Sequence, residues 1–127
     1  MIKSFLRMST SGLMEFRPLE PDKDLNDQIH EELDGAFYEV VKPRHLPRPF
    51  IMLVDECGAI KPEVKINPLA SELYGIKQHG RSIFGTALFF KEGIVDGEPN
   101  IVGLDEDDTA KLISILRRFF VIKEVRE

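Results

Sequence analysis

The chain has no tryptophan, a single cysteine, three histidines and no surplus of positive charge. Each shortage closes a class of function. One cysteine, Cys57, cannot form an intramolecular disulfide or supply a cysteine-based metal site, which fits a reducing compartment. With 17 basic against 22 acidic side chains the net charge is -5, so a protein that works by neutralising phosphates, and a nucleic-acid partner with it, is disfavoured. An anionic membrane surface fits as poorly. No run approaches the roughly 18–20 apolar residues needed to span a bilayer. The broken apolar stretch Ile2, Phe5, Leu6 is too short for a signal peptide. The expectation is a cytoplasmic protein with no membrane contact.

What is present is ordinary globular composition: 43% hydrophobic and 31% charged over 127 residues. That is one domain's worth of chain with enough apolar material for a real core. The organising stretch is 50–90. Phe-Ile-Met-Leu-Val (50–54) is an unbroken apolar run, which implies a strand buried on both faces. Burying those five side chains contributes on the order of 10 kcal/mol before entropy is set against it. An acidic turn, Asp55-Glu56-Cys57-Gly58, follows. In the next helix Asn67 is the N-cap, Pro68 takes the first position and Gly75 closes it. Residues 83–90 read as a second apolar strand with Gly85 as a bulge or a point of close approach.

Around this centre the remaining elements fall into place. Two apolar patches, 2–8 and 13–19, are parted by Ser9-Thr10-Ser11-Gly12, which predicts a hairpin or a frayed extension over 1–12 followed by one strand. Pro18 assigns the second patch to a sheet edge. Leu25, Ile29 and Leu33 make the stripe of a helix over 22–35, capped by Asp22 or Asp24 and ended at Gly35. His30 falls on its solvent side. Residues 36–41 read as a strand, and three prolines in 42–49 force a loop. Asp96-Gly97 marks a hairpin turn with a return strand at 101–103. The last helix starts at cap Asp105, with Leu112, Ile115, Leu116 and Phe119 inward and Ile113 and Phe120 widening that face. The expected fold is α+β: a small mixed or antiparallel sheet of about six strands with about three helices, the last C-terminal.

No spacing in the chain dictates a reaction. There is no Walker loop, Rossmann glycine set or metal-binding histidine pair, and Ser71 and Thr86 lack a nucleophile-elbow context. No cofactor or metal is implied, and the balance is against catalysis. Two loops could present cations to an anion. His79-Gly80-Arg81-Ser82 joins helix to strand and could work with Asn67 and Thr86. The proline loop carrying Arg44, His45 and Arg48 is the competing location.

The order of motifs carries a further signal. Phe-Tyr-Glu-Val-Val (37–41), Val-Asp-Glu-Cys-Gly (54–58), Asn67 before the short helix, and Gly85-Thr86 in the following strand resemble the uncharacterised domain-of-unknown-function family 3846. The likeness runs over residues 37–112. The proline loop 42–49 and the insert 61–65 depart from its pattern. The family is similar to phage, plasmid and conjugative-element accessory proteins and has no agreed activity, so the resemblance implies a mobile-element origin and transfers no catalytic residues. It favours a non-enzymatic accessory protein that binds a host protein or a small signalling molecule and antagonises host defence. The alternative is an anionic-ligand (nucleotide-like) binding protein or weak hydrolase using His79 and Arg81. The wide face of the last helix adds the expectation of a homodimer.

Overall fold

A computed structural model describes residues 3–120. It contains one six-stranded antiparallel sheet, with strands β1 (Ser4–Met8), β2 (Met14–Pro18), β3 (Tyr38–Val41), β4 (Phe50–Asp55), β5 (Ala87–Val95) and β6 (Glu98–Val102). The order across the sheet is β2-β1-β5-β4-β3, with β6 also on β5. Leu88 of β5 pairs with both Arg7 and Leu53, so β1 and β4 flank it on opposite sides. Lys91 pairs with both Phe50 and Val102, so β6 takes over the β1 side where β1 leaves it. A bridge between Ser4 and Leu104 closes the junction.

Strand alternation explains why β4 is apolar from Phe50 through Val54. Leu6, Met8, Met52, Phe89 and Ala87 point to one face, where Ala70, Leu73, Leu112 and Leu116 cover them. Phe5, Ile51, Leu53, Leu88 and Phe90 point to the other, against Ile29 and Leu33. Helices therefore cover both sides: α1 (Leu25–Glu32) on one, α2 (Pro68–Tyr74) and α4 (Glu106–Phe119) on the other, with a one-turn α3 (Ile76–His79) after α2. A central strand in such a sandwich has no solvent face to leave polar.

The local signals act where the sequence places them. Asp24, not Asp22, caps α1 and accepts the N–H groups of Asn26 and Asp27. Gly35 (φ 82) donates to His30 O, the return bond of a left-handed helix end. Buried Gln28 ties α1 to the end of β2, donating to Pro18 O and accepting from the Glu20 N–H. Asp105 and Asp108 form a reciprocal capping box on α4. Asp96 (φ 52) and Gly97 (φ 79) both adopt the left-handed region that a tight hairpin turn needs.

One open alternative is settled and three expectations are corrected. Of the two alternatives for 1–12, the hairpin forms: β1 lies between β2 and β5 with Phe5, Leu6 and Met8 buried, while residues 1–2 lie outside the described part. The strand expected over 83–90 starts at Ala87 and runs on to Val95; Gly85 (φ 83) lies in the lead-in, not at a bulge but at a close approach, the other alternative, its N–H donating to Lys65 O at 2.8 Å. His30 is half-buried, its ring edge-on to Phe37 at 5.2 Å. Phe119 does not face inward; it is exposed and stacks on His45, while Phe120 packs against the core.

Candidate functional site

The helix-to-strand loop brings two of its nominated residues together. Tyr74 ends α2, and left-handed Gly75 and Gly80 turn the chain so that His79 stacks on the Tyr74 ring, 4.2 Å between centroids. Arg81 reaches the same tyrosine, its Nε donating to Tyr74 Oη at 3.3 Å and its guanidinium 5.6 Å from the ring centre. Its other end donates to Glu39 Oε2 at 3.2 Å. The Tyr74 hydroxyl and then Glu39 hold the Arg81 pKa above its ordinary value. A small cleft beside Arg81 is lined by Glu39, Asp55 and Glu56 as well. An anion arriving there meets Glu39 and Glu56, with Asp55 held by Lys61, around one committed arginine. The loop is built to hold Tyr74, and its electrostatics oppose an anionic ligand.

Asn67 and Thr86 do not join that cluster. Asn67 is fully buried; its Nδ2 donates to Met8 O and Gly85 O while Oδ1 accepts from Ala70 N. That pattern leaves no donor free for a ligand, so Asn67 is a clasp between α2, β1 and the approach to β5. Ser71 completes it, donating to Asn67 O at 2.7 Å and accepting from the Ile83 N–H at 2.8 Å. Thr86 accepts from Arg7 at 3.5 Å on the α1 side of the sheet and opens into a cleft of about 450 Å³ lined by charges of both signs, Asp34, Asp55, Lys61, Glu63 and Lys65. The set His79, Arg81, Asn67 and Thr86 is thus spread over two faces and the interior.

The proline loop presents a different picture. Its backbone caps the end of α2, with Arg44 N donating to Tyr74 O and His45 N to Leu73 O. This fixes the loop beside the second half of α4, where His45 stacks on Phe119 at 5.1 Å. A groove of about 290 Å³ runs between residues 47–50 and α4, lined by Arg48, Lys111, Ser114 and Arg118. Ser114 and Arg118 are shared with a shallower depression that adds Arg117.

Unpaired cations are concentrated on this face. Among the described residues, Arg7, Arg17, Lys23, Lys42, Lys61, Arg81 and Lys91 are each paired with a carboxylate. Arg44, Arg48, Lys111, Arg117 and Arg118, all in the proline loop or α4, are not; Lys3, Lys65 and Lys77 are also without such a partner but lie apart from one another on other parts of the surface. Only Arg118 has a side-chain hydrogen bond, from Nε to Ser114 O. Asp108, the one acid in the groove, is neutralised by Lys91 at 2.6 Å. Burial opposes its ionisation, but the hydrogen bond from Lys91 and the Asp105 N–H outweigh it and hold its pKa below the usual carboxylate value.

The sequence offers Arg44 and His45 but no signal joining them to Lys111 and Arg118, more than 60 residues later. Among the described residues no group of three or more His, Cys, Asp or Glu side chains could hold a metal ion. Comparison with protein-family models, curated proteins and solved structures found no match.

Proposed function

We propose that this protein is a non-enzymatic binding protein that takes an anionic partner on the face formed by the proline loop and α4. The observation that supports the reading is the segregation of charge. Of the eight described Lys and Arg side chains without a carboxylate partner, five lie on the proline loop or α4, and three of these, Arg48, Lys111 and Arg118, line one groove. Unpaired cations on a fixed surface attract a complementary charge and steer it to one orientation. The resemblance to the 3846 family adds the setting: a mobile-element accessory protein whose partner is a host component. The His79/Arg81 loop is the weaker location because Glu39 already occupies its arginine.

The test is titration with a panel of anionic probes (polyglutamate, inorganic polyphosphate, ATP) at rising salt. Arg48→Ser with Arg118→Ser is compared with Lys65→Ser and Lys77→Ser, which remove equal charge elsewhere. Binding that weakens about tenfold in the first pair only, and falls with salt, supports the reading. Equal loss in both pairs means a diffuse charge effect, and no binding by any probe removes the proposal.

A further inference from the structure

The chemistry of the groove walls narrows what the anion can be, and this step rests on the reading above. Sites for phosphate are lined by backbone N–H groups, at helix N-termini or in concave turns. Here the wall is Pro47 and Pro49, which have no N–H, and Phe50, whose N–H is spent on Pro47 O at 3.2 Å. The N-terminus of α4 is closed by its own capping box. Among the loop residues of the wall only the Arg48 N–H carries no hydrogen bond, and a single donor does not make the converging set that a compact anion needs.

What the wall does offer is apolar surface between separated charges. Pro47, Pro49 and Ile115 line it, with Arg48 on the loop side and Lys111 and Arg118 on the helix side. Lys111, Ser114, Ile115 and Arg118 share one face of α4, and its two cations stand about 10 Å apart along the axis. Their side chains are long enough to converge on one phosphate, but such a ligand leaves the apolar strip between them uncovered. An elongated ligand with carboxylates flanking apolar side chains covers it as well, which is the pattern of an amphipathic segment laid in a groove. We infer that the groove between the proline loop and α4 docks an acidic, leucine- or isoleucine-bearing segment of a partner protein, in preference to a phosphorylated small molecule or nucleic acid.

The experiment uses the full chain and two labelled synthetic peptides of equal length and charge, followed by fluorescence anisotropy. One has glutamates with leucine at every third or fourth position; in the other the leucines are replaced by serine. Polyphosphate and ATP serve as competitors. The leucine peptide is expected to bind about tenfold more tightly than the serine peptide. Ser114→Trp, which fills the middle of the groove from an exposed helix position without changing charge, should abolish that advantage. Equal binding of the two peptides, or tighter binding of polyphosphate or ATP, overturns the inference while the anion-binding reading stands. If no probe binds, both fall. Light scattering covers the remaining occupant: a dimer that Ser114→Trp converts to monomer would assign the groove to a second copy and overturn the inference.

Discussion

Replacing Asn67 tests the clasp at the centre of the fold, and the two obvious replacements should rank in an unusual order. At an exposed N-cap, asparagine and aspartate are interchangeable and alanine costs about 1 kcal/mol. Asn67 is fully buried, and its three bonds fix which end of the amide is which: Oδ1 must face the Ala70 N–H, and Nδ2 must face Met8 O and Gly85 O. Asn67→Ala removes the cap and leaves two carbonyls without this donor. At about 1 kcal/mol for the cap and about 1 for each carbonyl, the loss is about 3 kcal/mol. For a domain of this size that is a fall in Tm of about 10 °C. Asn67→Asp keeps the cap acceptor but turns an oxygen toward both carbonyls, in a fully buried site. It should destabilise at least as much as alanine, and the loss should ease at acid pH as the new carboxyl protonates. Urea unfolding followed by circular dichroism, with thermal melts at neutral and acid pH, measures both. An aspartate variant within about 1 kcal/mol of the parent would show that Asn67 is a cap and nothing more.

Other consequences follow from single contacts. A Cβ at Gly103 would collide with Leu19 Cδ1 and stand 2.8 Å from Lys3 Cβ, so Gly103→Ala should cost about 1–3 kcal/mol by overpacking, read as a lower urea midpoint. Asp108 has its folded pKa depressed, so its stabilising share is whole above the ordinary carboxylate pKa and is lost as pH falls through the lowered value. Asp108→Asn should therefore be less stable than the parent at neutral pH, with the gap closing in acid; a gap that stays constant with pH would contradict the assignment. Glu39→Gln frees Arg81 from its ion pair but should leave binding of anionic probes unchanged within about twofold, whereas a tenfold gain would return the site to the His79/Arg81 loop.

What could be read from the sequence was set by local physics. The caps Asn67 and Asp105, the αL residues Gly35 and Gly75, the Asp96-Gly97 turn and the edge position of Pro18 all act over a few residues, and each is found in place. The apolar run of β4 announced burial on both faces because alternation has no other way to produce it. What the local pattern does not reveal lies where distant chain decides. The β1 strand is interior because β5 has an open side for it, a fact no local pattern carries. The polar Lys91-Glu92-Gly93 stretch hides the second half of β5, which is held by β6 and sits at the rim. Phe119 turns outward because His45, brought by the proline loop, offers a ring to stack on.

The candidate site follows the same division. That His79 and Arg81 sit in one loop is legible; that Glu39, 42 residues earlier, neutralises Arg81 is not. Arg44 and His45 are visible among prolines. Their value depends on α4 packing alongside, which is a property of the folded surface.

The most direct test of where an anion binds is a titration of isotope-labelled protein with polyglutamate, followed by amide chemical shifts. The account predicts that resonances of Arg44, His45, Arg48, Lys111, Ser114 and Arg118 move together and saturate with one affinity, while those of Lys77 to Ser82 stay in place. Shifts centred on His79, Gly80 and Arg81, with the α4 resonances unmoved, would contradict it.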